Sequence, residues 1–250
     1  MNKTVAVIPS RYESSRLAGK PLLKLGDKTI IQLVYEQVSK AKYLDEVIIA
    51  TDDQRIYEHV KSFNANVAMT SKEHKSGTDR IAELAEANHD WGIIVNVQGD
   101  EPFINPEDID ASLEPFLHDP ELEMLSIYHY LNDESEIKNP NNVKVVTDNN
   151  DFALYFSRSV IPCLRDAHEY STNSFRYKKH LGLYVYRRET LLRYSKLNES
   201  NLEVFEKLEQ LRALENQIKI KMIEVKSQSI GIDTQADYEK ALRIIGQIQK

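Results

Sequence analysis

Val5-Ala6-Val7-Ile8-Pro9-Ser10-Arg11-Tyr12-Glu13-Ser14-Ser15-Arg16-Leu17-Ala18-Gly19-Lys20-Pro21 is the stretch that decides the fold. The run Val5 to Ile8 is apolar and β-branched, which predicts a buried strand stopped by Pro9. A loop follows that holds Arg11, Arg16 and Lys20, two serines and a glycine. Open α/β sheets bind their ligands in such loops, at the C-terminal ends of strands. Backbone N–H donors, two guanidiniums and a point charge together suit a triphosphate. The same residues also fit a solvated basic loop. Neither GxxxxGK[ST] nor GxGxxG occurs in the chain, so no phosphate fingerprint decides between the two.

Working outward, Ile30, Ile31, Val34, Tyr35 and Val38 recur at helical spacing. Val47 to Thr51 reads as a second buried strand. Asp52-Asp53 can cap a helix with Ile56, Val60 and Phe63 on its apolar stripe. Asn66 to Thr70 reads as a third strand. Ser76 and Asp79 have capping-box spacing ahead of a helix with Ile81, Leu84 and Ala85. Gly92 to Val97 reads as a fourth strand. The first hundred residues therefore alternate βαβαβαβ, which predicts a doubly wound, mainly parallel α/β sheet.

Asp100-Glu101 follows the fourth strand. Carboxylates facing the first loop invite magnesium between protein and phosphates, although Pro106-Glu107-Asp108 also fits a helix start here. The second half differs in pattern. Leu125–Tyr130 and His180–Tyr186 read as strands. Val143–Val146 and Ala153–Ser157 flank Asp148-Asn149-Asn150-Asp151, a hairpin turn by residue type. One long helix is expected from Leu202 to Leu214, and a closing helix from Gln235 to Gln249. These features predict a smaller, mixed β lobe inserted in the second half, within one continuous domain. The boundaries fall at about 1–120 for a nucleotide half, 121–225 for the lobe and 226–250 for the closing segment.

The net charge of −7 argues against non-specific nucleic-acid binding. Any anionic ligand then needs a local cationic pocket or a metal ion. Cys163 is the single cysteine, so no intrachain disulfide forms, in keeping with a reducing compartment. The apolar run near the N-terminus is too short for a signal-peptide core, and no stretch approaches the ~20 apolar residues of a membrane helix. A cytoplasmic protein is expected. Cys163 and His74 carry no motif.

The chain resembles the CMP-Kdo synthetases, the 3-deoxy-manno-octulosonate cytidylyltransferases. The likeness rests on Ile8 to Tyr12, Arg16 to Leu22, Ala50 to Asp53, Met69 to Ser71 and Ser76 to Arg80. It continues through Asn96 to Pro102, Asn139-Pro140, Val143 to Val146, Ala153 to Arg158, His180 to Gly182, Leu208 to Arg212 and Gly231 to Thr234. Ser10, Ser15 and Ala18 depart from the usual family loop, which carries Ala, Thr and Pro there. A slightly looser loop is expected.

The resemblance implies a nucleotide-diphospho-sugar transferase fold and transfer of a cytidylyl group from CTP to a 3-deoxy-octulosonate sugar acid. It implies that Arg11, Ser14, Ser15, Lys20, Ser76, Gly77, Thr78 and Gln98 bind the nucleotide. Lys20, Asp100 and Asp233 would be catalytic, with Asp100 and Asp233 holding Mg2+. Gln98, Arg158, Arg165, His180, Tyr184, Glu209 and Gln210 would bind the sugar, with Arg158 or Arg165 on its carboxylate. A homodimer and a place in lipopolysaccharide or capsule synthesis are further implications. Read without the resemblance, His180 and Tyr184 are packed strand residues, Glu209 and Gln210 a solvated helix face, and Asp233 a turn. Rival functions are a synthetase for a related sugar acid (8-amino-Kdo or an acylneuraminate), a nucleotide-sugar glycosyltransferase, for which Asp52-Asp53 is a poor DxD, and a non-catalytic nucleotide-binding regulator.

Overall fold

The computed structural model describes residues 2–13, 17–165, 175–227 and 231–248. β1 (Lys3–Ser10) leads through a 3-10 turn (Lys20–Leu22) and a short ribbon, β2 (Lys24–Leu25) with β3 (Lys28–Thr29), into α1 (Ile30–Val38). β4 (Glu46–Thr51), α2 (Gln54–Ser62), β5 (Val67–Met69), α3 (Gly77–Ala87), β6 (Trp91–Asn96) and α4 (Pro106–His118) follow. Asp53 accepts from Arg55 N–H at the start of α2, and Ser76 and Asp79 form the expected capping box on α3. β1 pairs in parallel with β4 on one side and β6 on the other. Ala6 and Ile8 pack with Ile31 and Val34 of α1, while Val5 and Val7 pack with Ile81 and Ala85 of α3. Helices cover both faces, which is why successive residues of β1 are all apolar.

β1 runs through Pro9 to Ser10 instead of stopping at the proline. The Val7 carbonyl accepts from Val97 N–H, so residues of that parity face β6. Pairing with β6 ends at Val7. The N–H that Pro9 lacks would point past the last paired residue, so the proline costs the ladder no bond.

The second half contributes β7 (Met124–Tyr130), α5 (Glu134–Lys138), β8 (Lys144–Thr147), β9 (Ala153–Ser157) and β10 (Lys178–Arg187). It ends with α6 (Arg188–Ser195), α7 (Asn201–Glu206), α8 (Gln210–Glu215), β11 (Ile220–Glu224) and α9 (Gln235–Ile248). The expected mixed pairing is present, but it extends the main sheet. Among the described residues the sheet has nine strands, ordered β11-β7-β10-β6-β1-β4-β5, with the β8–β9 hairpin off this path. β10 lies antiparallel to both β6 and β7. It can sit centrally because Leu181, Leu183 and Val185 fill one face of the sheet and Tyr186 the other.

The single helix expected from Leu202 to Leu214 is two. α7 ends at Lys207, whose φ of 54° is left-handed, and α8 restarts at Gln210. A left-handed residue breaks the helical ladder and redirects the chain. Arg212 then locks the pair of helices, its Nε and Nη2 donating to both Glu203 carboxylate oxygens at 2.8 and 2.6 Å. Among the described residues no helix is long and apolar enough to cross a membrane.

Candidate active site

Strand order reverses at β1, between β4 and β6, and a cleft opens at the C-terminal ends of these strands. Two outgoing loops form its walls. The loop after β1 folds back at Gly19, which has φ +65° and sits so close to the Tyr12 ring that a side chain there would crowd it. This turn delivers Lys20 at the start of the 3-10 turn. The loop after β6 passes so near β1 that a Cβ on Gly99 would lie 2.8 Å from the Pro9 carbonyl. Only glycine permits that approach, and it carries Asp100 opposite Lys20.

Lys20 Nζ donates to Asp100 Oδ2 at 2.5 Å and to Asp233 Oδ1 at 3.2 Å. Asp233 comes from a segment more than two hundred residues away in sequence, pinned when Ile232 N–H donates to the Asp100 carbonyl at 2.9 Å. Asp237 holds that segment at the start of α9 by accepting from Asp233 N–H and Thr234 N–H at 3.3 and 2.9 Å. The cavity around the triad is about 340 Å³ and is lined by Ser10, Arg11, Lys20, Gln98, Asp100 and Asp233, among others. Gly77, at the N-terminus of α3, closes its far wall, where helix N–H groups favour an anion. Thr78 is buried beside it. Ser76 instead lines a neighbouring polar cavity with Glu209 and Arg212. Ser14, Ser15 and Arg16 lie outside the described residues.

A second cavity of about 370 Å³ meets the first at Asp233 and is lined by His180, Tyr184, Glu209 and Gln210. His180 Nε2 is 2.9 Å from Ser126 Oγ, and its ring packs edge-on against Phe156 at 5.0 Å. Burial pushes its pKa down to about 3, so the ring is neutral at ordinary pH. Burial, with Tyr186 and Glu209 nearby, raises the Tyr184 phenol well above its usual range. Burial likewise raises the Glu209 carboxyl, against the Thr78 hydroxyl and Arg212, which lower it. Glu209 Oε1 and Gln210 Nε2 are buried without a hydrogen-bond partner in the protein. Buried polar atoms of this kind call for a partner from a ligand or water. Gln98 bridges the cavities: it lines the first, and its Nε2 donates at 3.3 Å to the carbonyl of Gly182, which lines the second.

The two arginines expected on a sugar carboxylate stand elsewhere. Arg158 donates from Nε to Glu206 O at 2.8 Å, from Nη1 to Pro140 O at 3.2 Å and from Nη2 to Lys207 O at 3.3 Å. Its guanidinium clasps the left-handed turn between α7 and α8. Arg165 is exposed and lines neither cavity.

A family model described as cytidylyltransferase matches residues 5–220. A 3-deoxy-manno-octulosonate cytidylyltransferase of Fusobacterium nucleatum is 46% identical over 97% of this chain and 97% of its own length. The enzyme of that name from Solibacter usitatus is 48% identical over 97% of this chain and 94% of its own. The chain belongs to the 3-deoxy-manno-octulosonate cytidylyltransferase family. A solved structure of CMP:2-keto-3-deoxy-manno-octonic acid synthetase complexed with CTP superposes with a TM-score of 0.92, at 42% identity, over 98% of this chain and 99% of that one. The fold is thus that of the cytidylyltransferases.

In this cytidylyltransferase, two lysines at or beside the second cavity carry no signal in the sequence. Lys179 is the one lysine or arginine lining the second cavity among the described residues. Burial lowers its ammonium, with Glu136 and Glu101 acting the other way. Strand parity gave no hint of it, since it alternates with Lys178, whose Nζ donates to Thr147 Oγ1 at 2.7 Å. Lys144 is fully buried, and its ammonium donates to the carbonyls of Asn139, Asn142 and Arg158 at 3.1, 2.5 and 2.6 Å. It fixes the loop that presents Asn141 and Val143 to the second cavity. Sequence shows only a lysine opening a strand.

Proposed function

We propose that the protein transfers a cytidylyl group from CTP to the anomeric hydroxyl of 3-deoxy-manno-octulosonate, giving CMP-Kdo and pyrophosphate. One observation carries the reading: Lys20 is bracketed by Asp100 and Asp233 where the two cavities meet. Cations and N–H groups gather on the first side, polar groups suited to hydroxyls on the second.

Arg11, Lys20 and the N-terminal end of α3 bind and orient the triphosphate. Gln98, His180, Tyr184, Glu209 and Gln210 orient the sugar, the neutral His180 ring serving as a hydrogen-bonding group. Holding the two substrates at a shared wall converts a bimolecular attack into an in-line one. The anomeric oxygen gives up its proton to solvent and bonds to the α-phosphorus as the bond to the bridging oxygen of pyrophosphate breaks. Lys20 stabilises the charge that develops on the departing oxygens.

Asp100 and Asp233 fit magnesium: both are hard oxygen donors, and both lie within 3.2 Å of the Lys20 ammonium. Among the described residues no cluster of three His, Cys, Asp or Glu side chains forms. Magnesium can be held by one or two carboxylates with water and substrate phosphates. When bound, it would neutralise phosphate charge and acidify a coordinated hydroxyl. Within the proposal, the enzyme is cytoplasmic, supplies lipopolysaccharide or capsule synthesis, and pairs with a second copy through the hairpin, where Leu154 of β9 is exposed.

Pyrophosphate release tests the proposal. Release is expected with CTP, Kdo and magnesium, and not on omitting the sugar or the metal. Release with an acylneuraminate but not Kdo supports a related synthetase. CTP binding with no release under any sugar refutes turnover.

A further inference from the structure

Among the described residues, a side-chain bond joins the loop after β1 to the loop before α3, and it is anchored from outside the cavity. Arg11 Nη2 donates to the His74 carbonyl at 2.6 Å. The His74 ring bonds through Nε2 to Glu83 Oε2 in α3. The same oxygen accepts from Ser71 N–H at 2.9 Å, and Ser71 Oγ accepts from Glu73 N–H at 3.1 Å. Glu83 thus grips both ends of a short arc, residues 71 to 74. Beneath it, the fully buried Arg80 reaches the Thr70 hydroxyl and donates to Asp52 Oδ2 at 2.6 Å, fixing the root of the arc.

Burial raises the Glu83 carboxyl, but the Ser71 N–H and the His74 ring outweigh it, leaving the group below its usual range. Neither Glu83 nor His74 lines the cavity that Arg11 lines; they line a separate one with Ala82 and Glu86. A guanidinium with one N–H fixed on a carbonyl keeps its other donors for an anion and has less freedom to lose on binding it.

We infer that Glu83 and His74 are positioning residues that aim Arg11 at the nucleotide's phosphates and set the gap between the two loops. The inference rests on Arg11 binding CTP, so the experiment separates the two claims. CTP affinity is measured by calorimetry, and KM for CTP and for the sugar acid by pyrophosphate release. The proteins are Arg11→Ala, Glu83→Ala, Glu83→Gln and the Arg11→Ala/Glu83→Ala double variant.

Glu83→Ala should weaken CTP binding and raise KM for CTP about two- to tenfold, the cost of ordering one long side chain that is no longer held in place. KM for the sugar acid should stay put, and Glu83→Gln, which keeps an acceptor for Ser71 N–H, should recover most of the loss. In the Arg11→Ala background, Glu83→Ala should add little, because its path runs through Arg11. Should Glu83→Ala lose its fold, His74→Ala, which removes the ring that holds the arc to Glu83, gives the same cycle. Additive losses, or equal rises in both KM values, overturn the latch alone. An Arg11→Ala protein that binds CTP normally overturns both the latch and the role of Arg11.

Discussion

Asp100→Asn separates a functional carboxylate from a structural one. The Lys20–Asp100 bond is 2.5 Å long, and the side chains are 14% and 25% exposed. Opposite charges at that distance attract by roughly 7 kcal/mol gross at an effective dielectric of ~20. Desolvation, lost side-chain freedom and solvent screening cut the net to about 1 kcal/mol for a pair this accessible. Asparagine keeps an oxygen for Lys20, and Asp233 remains 3.2 Å from the ammonium. The melting temperature should therefore fall by only about 2–4 °C for a chain of this size. Turnover should fall far more, since removing one preorganised electrostatic group costs about 10²–10³ in kcat, or ~3–4 kcal/mol. The assay is steady-state pyrophosphate release at saturating magnesium, CTP and sugar acid, beside a thermal melt. A kcat within tenfold of the unsubstituted enzyme refutes the catalytic role. A melting temperature lowered by 10 °C or more refutes the claim that the contact is functional and not structural.

Arg158→Ala should cost about 1–3 kcal/mol of stability, because it strips donors from two carbonyls at the α7–α8 turn and from that of Pro140; a raised sugar KM at an unchanged melting temperature would return Arg158 to the sugar carboxylate. Lys179→Met should raise KM for the sugar acid about tenfold or more while leaving KM for CTP alone, since a charge-assisted bond to an anion is lost; equal KM values before and after would remove Lys179 from the site. The folded His180 ring stays neutral down to about 3, while the unfolded ring gains its proton near 6.5. The unfolded chain then binds more protons between those values, so stability falls as pH drops through that window, by up to about 1.4 kcal/mol per unit. Burial depresses His129 in the same direction. Melts from pH 7.5 to 4.5 should show a shallower slope for His180→Gln, and an identical slope would mean His180 does not titrate as described.

The parallel half of the fold was legible because its signals are local. Runs such as Val47 to Thr51 and the Ser76–Asp79 box are set by neighbours a few residues apart. The place of β10 was not: an apolar strand reads the same in a separate lobe as between β6 and β7. Nor was the break at Lys207, since lysine carries no preference for a positive φ and the turn is held by contacts distant in sequence, the Arg158 clasp and the Glu203–Arg212 pair, beside local backbone bonds to the Glu203 carbonyl. At the site, the family likeness placed Lys20, Asp100 and Asp233, which the structure brings together across eighty and more than two hundred residues. It also placed His180, Tyr184, Glu209 and Gln210, which share one cavity. Arg158 shows the limit, because a residue type matches a motif whether its guanidinium faces a ligand or three backbone carbonyls. The Arg11–His74 bond lay hidden for a related reason: it uses a backbone oxygen, which no side-chain pattern reveals.

The central claim is that the cleft directs attack on the α-phosphorus of CTP. Incubating the enzyme with Kdo, magnesium and CTP labelled at either the α- or the γ-phosphate tests it directly. The account predicts that the α-label travels with the sugar as a CMP conjugate and the γ-label leaves in pyrophosphate. A γ-label on the sugar, or label released as inorganic phosphate without a CMP conjugate, would contradict it.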